Sequence, residues 1–269
     1  MSVRVTADRS FKDVLASSDH PLAGVWVCSA STVNAEICAG AGFDWIFLDG
    51  EHSPNDLGSL LTQLQAVGGY PTVPVVRPPV NDPVIIKQYL DLGAQSLIIP
   101  MVHTAEDAEQ AVASCHYPPR GVRGVGSALA RSARWNRIDG YLQRAGDTIT
   151  VIVQIESQQA VDNVEAILAT DDLDGVFIGP SDLAATMGLI GQQGHPQVVE
   201  AVLKVIAAAR AAGKYVGVNA FDPGSAQRYI EAGAQFVGVG ADVALLARAS
   251  EQLAERYRGE SDAPITSSY

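Results

Sequence analysis

The chain has 269 residues, room for one large domain or two small ones, and ample length to bury a core. It is 47% hydrophobic but only 6% aromatic, so the core is expected to be built from Ala, Val, Leu and Ile, which favours an α/β protein over a β-sandwich rich in aromatics. A formal net charge of −12 argues against nucleic acid as a general partner, because neutralising phosphates requires a basic face.

The first residues, "MSVRVTADRSFKDVL", lack the apolar segment of a signal peptide. No apolar run nears the ~18–20 residues that span a bilayer, so no membrane association is expected. Three cysteines, Cys28, Cys38 and Cys115, are odd in number and lack metal-binding spacing. They read as free thiols of a reducing compartment, and a cytoplasmic protein is expected. Short β-branched runs follow at 23–28, 45–49, 73–77, 96–100, 149–155, 175–179, 215–219 and 236–239. Several are apolar at consecutive positions, the pattern of parallel strands covered on both faces. Helical patterns lie between them at 34–39, 56–66, 83–92, 105–114, 158–169, 196–212, 223–232 and 243–257. "DLGAQ" (91–95) and "EAGAQ" (231–235) mark helix ends capped by glycine. Eight strand–helix units predict a single-domain (β/α)8 TIM barrel over 1–258, with a polar, disordered tail at 259–269. A doubly wound sheet is the runner-up, but "GVRGVG" (121–126) lacks the spacing of a dinucleotide loop.

In a barrel the chemistry belongs at the carboxyl ends of the strands. The residues there are Cys28, Asp49 to His52, Arg77, Pro100, Gln154 with Glu156, Asp182, Asn219 and Asp242. Asp182 in "IGPSDLAATMG" also fits the plainer role of a helix N-cap. Glu156 and Asp182 close neighbouring strands, and two such carboxylates repel unless a cation lies between them. An all-oxygen pair with open positions suits a hard divalent ion such as Mg²⁺ or Mn²⁺. Arg77, at the end of "TVPVVRP", is placed to meet a carboxylate or a developing oxyanion; a structural salt bridge to Glu51 or Glu156 is its alternative. His52 suits a base or a metal ligand.

The stretches "FDWIFLDGEHSPND", "VPVVRPP", "DPVIIKQYLDLGAQSLIIPMV", "RGVRGVGSALARSARWNRI", "VIVQIES" and "FIGPSDLAATMG" resemble the HpcH/HpaI-type aldolases over roughly 20–255. The resemblance implies a class II pyruvate aldolase that cleaves a 4-hydroxy-2-oxo acid, such as 4-hydroxy-2-oxoheptanedioate, to pyruvate and an aldehyde. It implies a barrel of the phosphoenolpyruvate/pyruvate type whose last helix swaps onto a neighbour, in homohexamers built from dimers. Glu156 and Asp182 would hold the divalent metal ion (Mg²⁺, Mn²⁺ or Co²⁺), Gln154 its water shell, and Arg77 the pyruvate oxygens. His52, with Asp49 beside it, would activate the proton-shuttling water. The amides of Ser181 and Asp182 would bind the pyruvate carboxylate. Asp91 would pair with the histidine across a subunit boundary. Members of that family commonly have Ala where this chain has Ser181.

Other readings stay open on the sequence. A citrate-lyase-β-like or malyl-CoA-lyase-like thioester lyase shares the superfamily, and a non-catalytic barrel is a scaffold of a different class. A Schiff-base aldolase needs a strand-end lysine. Lys12, Lys87 and Lys204 fall in helical stretches and Lys214 precedes a strand. The segment 116–147 carries six of the fourteen arginines (Arg120, Arg123, Arg131, Arg134, Arg137, Arg144). It is expected either to bind an acidic aldehyde tail or to form an oligomer-interface loop. Trp26 and Phe221 are candidate pocket walls.

Overall fold

A computed structural model describes residues 3–258. The chain begins with α1 (Phe11–Ser17), β1 (Leu22–Val27), α2 (Thr32–Ala39), β2 (Trp45–Asp49) and α3 (Leu57–Ala66). It continues through β3 (Val73–Arg77), α4 (Pro83–Asp91), β4 (Ser96–Ile99), α5 (Ala105–Cys115), the short α6 (Tyr141–Arg144) and β5 (Thr150–Ile155). Next come α7 (Gln158–Asp162), α8 (Val164–Leu168), β6 (Gly175–Ile178), α9 (Pro180–Thr186) and α10 (Pro196–Ala211). β7 (Tyr215–Asn219), α11 (Pro223–Glu231), β8 (Phe236–Ala241) and α12 (Asp242–Arg258) complete it. The strands pair in parallel in chain order and β1 closes on β8, a TIM barrel. The eight expected strands are all present, with ends shifted by a residue or two. The expected tail, 259–269, lies outside the described residues.

Two layers form the core. Between strands and helices lie aliphatic side chains such as Val25, Ile46, Leu48, Val151, Val153 and Ile178. The barrel lumen is different, and corrects the expectation of an aliphatic core. Trp45, Phe47, Phe177 and Phe236 are fully buried there, with Trp45 and Phe236 centroids 5.7 Å apart. Glycines make the room: a Cβ on Gly24 would stand 2.1 Å from the Trp45 ring, and one on Gly217 would stand 2.2 Å from Phe236. α1 plugs the amino end of this lumen. Phe11 inserts with its ring 5.1 Å from Phe236, and its amide donates to Ser96 Oγ at 2.9 Å. Burying one such side chain stabilises the fold by about 1.5–3 kcal/mol.

Other departures are local. The single helix expected over 158–169 is two, α7 and α8, broken at Asn163, whose side chain donates to the His103 carbonyl at 2.9 Å. Residues 180–186 form α9 with Gly179 as N-cap and Pro180 in its first turn, so Asp182 is not the cap but lies inside that turn. α12 buries only Asp242 and leaves Leu245, Leu246, Leu253 and Tyr257 exposed. No helix among the described residues is long and apolar enough to cross a membrane.

Candidate active site

At the carboxyl rim, the register aligns Asp49 on β2 with Arg77 on β3. Asp49 is buried and clamps the guanidinium with two bonds, Arg77 Nε to Oδ1 at 2.8 Å and Nη2 to Oδ2 at 2.9 Å. The same carboxylate accepts the amides of Glu51 (3.0 Å) and His52 (3.2 Å), which folds the loop behind β2 back over the rim. Asp49 thus reaches His52 through its backbone. The His52 ring is 69% exposed, with Nε2 4.0 Å from Glu51 Oε2.

The remaining edge of Arg77 faces inward. Nη1 lies 3.3 Å from Gln154 Oε1 and 2.7 Å from Glu51 Oε2. The Glu51 contact is an ion pair off the N–H direction, since that oxygen is buried without a hydrogen-bond donor. The structural pairing considered for Arg77 is therefore real toward Glu51, and Asp49 adds to it. Above the guanidinium lies the Trp26 ring, 4.7 Å away. Burial works to lower the Arg77 pKa, but the Asp49 bond and the charges of Asp49, Glu51 and Glu156 outweigh it and hold the group above its ordinary value.

Gln154 links this cation to the carboxylates: its amide donates to Glu156 Oε2. Glu156 Oε1 accepts the Met101 amide at 2.8 Å. Burial, reinforced by the nearby charges of Glu51 and Asp182, pushes the Glu156 carboxyl up to about 7, against the Met101 bond and Arg77. Glu51 is raised for the same reason, burial first. Asp182 is exposed on the first turn of α9. The charge of Asp182 thus bears on both Glu51 and Glu156, whose anionic forms burial already disfavours. The residues fit a divalent ion, because a cation relieves their repulsion and both Glu156 and Asp182 offer hard oxygens. Among the described residues no group of three or more His, Cys, Asp or Glu is placed to hold a metal ion.

Beside these groups is a cavity of about 240 Å³, whose walls include Trp26, His52, Arg77, Gln154, Ser181 and Asp182 but neither Glu51 nor Glu156. Asp91 is not brought to it. It sits at the last turn of α4 and accepts from Arg123 Nη2 at 2.9 Å. Nor does the arginine-rich segment line it: Arg120 pairs with Asp172 and Arg134 with Asp8, while Arg131 donates to the Leu92 carbonyl. Asp242 proves structural, accepting the Cys28 amide at 2.8 Å and the Ser29 hydroxyl. Burial, with Asp49 and Asp242 beside it, pushes the Cys28 thiol up to about 12, so it stays protonated. Lys214 donates to the Leu173 carbonyl at 2.6 Å below β7, and no lysine lines the cavity. Sequence reasoning missed the Met101 amide, presented from a residue at φ +58°, and Gly179. A Cβ on Gly179 would stand 3.0 Å from Gln154 Nε2 and 3.3 Å from Glu156 Cβ.

A closed barrel with acids, an arginine and a histidine at its carboxyl rim has the layout of an enzyme active site, and comparison with known proteins narrows it. The profile of the HpcH/HpaI aldolase/citrate lyase family matches residues 22–249. The chain is 53% identical over 253 residues to 4-hydroxy-2-oxo-heptane-1,7-dioate aldolase of Salmonella dublin, covering 94% of this chain and 96% of that protein. An HpcH/HpaI aldolase/citrate lyase family protein from Burkholderia cenocepacia J2315 superposes with a TM-score of 0.89 at 41% identity, covering 93% of this chain and all (100%) of that one. The HpcH/HpaI aldolase from Desulfitobacterium hafniense DCB-2 gives a TM-score of 0.86 at 28% identity, over 97% of this chain and 100% of that one. The chain belongs to the HpcH/HpaI aldolase/citrate lyase family and is an aldolase, a carbon–carbon lyase, of that family.

Proposed function

We propose that this aldolase reversibly cleaves a 4-hydroxy-2-oxo acid to pyruvate and an aldehyde, with a divalent metal ion, Mg²⁺, Mn²⁺ or Co²⁺, as cofactor. The observation that carries the reading is the buried row Arg77–Gln154–Glu156, with Glu156 feeling the charge of Asp182 and no lysine among the cavity walls. Glu156 and Asp182 would hold the ion, which when bound supplies Lewis acidity to the keto acid. Every other step falls to the chain's own groups. The Nη1 edge of Arg77, which the Asp49 clamp leaves turned inward beside Gln154 and Glu51, stabilises the oxygen of the pyruvate enolate as charge develops on it. The amides of Ser181 and Asp182 in the first turn of α9 bind the carboxylate. His52, exposed at the cavity mouth, accepts the C4 hydroxyl proton through a water as the C3–C4 bond breaks, and the enolate is then protonated to pyruvate.

The working form is a homo-oligomer, a hexamer built from dimers, in which α12 swaps onto a neighbour. What supports it is the bare apolar face of α12, Leu245, Leu246 and Leu253, together with Val33 and Ile37 exposed on α2. In that assembly Asp91 serves the histidine of an adjoining subunit. The free cysteines fit a cytoplasmic enzyme. The test is cleavage of 4-hydroxy-2-oxoheptanedioate by the purified protein, before and after EDTA and after adding back each metal. Loss in EDTA and recovery with metal is the expected result. Full activity in EDTA together with borohydride trapping of a pyruvate adduct would overturn the reading.

A further inference from the structure

Glu156 is held by both of its carboxylate oxygens, and the two holds differ in kind. Oε2 takes the Gln154 side-chain amide, whereas Oε1 accepts a backbone N–H, that of Met101 at 2.8 Å. A carboxylate oxygen that accepts one bond keeps a second lone pair, so these bonds aim the group without using it up. The residue that supplies the backbone donor is the unusual one. Met101 has φ +58°, in the left-handed region that residues with a Cβ rarely enter. Such strain persists only where the surroundings over-determine it, and it gathers at functional sites.

The chain on either side of Met101 is anchored. Upstream, Ile99 of β4 is in register with Val153 of β5, and Pro100 is buried. Downstream, Val102 is fully buried, the His103 amide donates to Asp107 Oδ2 at 2.9 Å, and the His103 carbonyl accepts the Asn163 side chain. The His103 ring adds a further tie, with Nδ1 2.8 Å from Oγ of Ser157, the residue after Glu156. With both flanks fixed, φ leaves the left-handed region only if the peptide plane between Pro100 and Met101 rotates. That rotation turns the N–H away from Oε1. The Met101 side chain takes no part in this, being 48% exposed and outside the apolar core.

We propose that Met101 is a positioning residue for metal binding: its left-handed backbone, not its side chain, aims the amide that orients Glu156. This rests on the reading of Glu156 as a ligand of the divalent ion. Groups that orient a ligand without touching the ion are typically worth about 10–100-fold in metal affinity. Position 101 then demands a residue that tolerates φ +58°, whatever its side chain. Glycine enters that region freely, and leucine, unbranched at Cβ, enters it on the same terms as methionine. Valine, branched at Cβ, resists it most.

The test is calorimetric titration of Mn²⁺ into the full-length protein, stripped of metal with EDTA, and into Met101→Gly, Met101→Leu and Met101→Val. The Kd is expected to stay within about threefold of wild type in Met101→Gly and Met101→Leu, and to weaken about 10–100-fold in Met101→Val. Misfolded protein lowers the stoichiometry and leaves the Kd of the folded fraction unchanged, so lost fold is not mistaken for lost affinity. A Met101→Val that binds as tightly as wild type overturns the proposal. So does a Met101→Gly weakened as much as Met101→Val, because that pattern belongs to the side chain. If Met101→Val yields no folded protein, Met101→Gly decides: wild-type affinity supports the backbone role, and lost affinity overturns it. A wild type that binds no Mn²⁺ removes the metal reading and this inference with it, whereas wild-type binding with all three variants unchanged removes Met101 alone.

Discussion

Arg77 is the residue whose geometry makes the sharpest demand. Asp49 uses two of its three nitrogens, so a planar fork is needed to leave the third aimed inward. Arg77→Lys keeps the charge and loses that division of labour. Turnover is expected to fall roughly 10²–10³-fold, the usual loss for one preorganised oxyanion donor, with retro-aldol cleavage and pyruvate proton exchange falling together. Metal affinity, read by titration calorimetry, is expected to change little; a lowered melting temperature with normal turnover would make Arg77 purely structural. His52 makes a milder demand, because its ring is exposed and held only through its backbone. His52→Ala is expected to lower aldol turnover roughly 10²–10⁴-fold while leaving the thermal melt unchanged. Near-wild-type turnover at every pH would reduce it to a loop residue. These polar groups were legible in the sequence because each directly follows an apolar run. The Trp26–Asn219 bond was not, since 193 positions separate its partners and neither run signals the other.

At the scale of elements, the strands were legible for a physical reason. A parallel strand covered on both faces tends to be apolar at consecutive positions, and several of the eight runs are. Helices shorter than two turns leave no periodicity, which is why the seven-residue α1 escaped notice and α9, also seven residues, was legible only as a helix start at Asp182. Composition misled about the lumen, because a small count of aromatics says nothing of their being concentrated in one place. α1 gives the corresponding test. Phe11 closes the amino end of the barrel against Trp45 and Phe236, and its removal leaves a void there. Phe11→Ala is expected to destabilise the fold by roughly 3–5 kcal/mol in urea unfolding. A loss under about 1 kcal/mol would show that the plug repacks or contributes little.

For the whole molecule, stability is expected to carry a pH signature remote from the rim. His116 is buried, with Nε2 unpartnered. Burial, then the charge of Arg120, lowers its pKa below the ordinary value. The folded protein therefore binds fewer protons here than the unfolded chain, so this contribution is complete above the unfolded value of about 6.5 and is lost as pH falls through and below it. His116→Gln is expected to flatten part of the decline in melting temperature between about pH 7 and 5. The raised carboxyl of Asp174, shifted mainly by burial, acts with the opposite sign, so the difference between variant and wild type isolates the histidine. Identical slopes would remove His116 from the account.

At the same scale, one barrel rim unites the guanidinium of β3 with the carboxylates of β5 and α9, and the central claim is that together they make pyruvate enolate. The most direct measurement is exchange of pyruvate methyl protons with deuterium oxide, followed by proton NMR without any aldehyde. Metal-loaded wild type is expected to exchange rapidly, and exchange is expected to fall to background in EDTA and in Glu156→Gln. Exchange that persists undiminished in Glu156→Gln or in EDTA would contradict it.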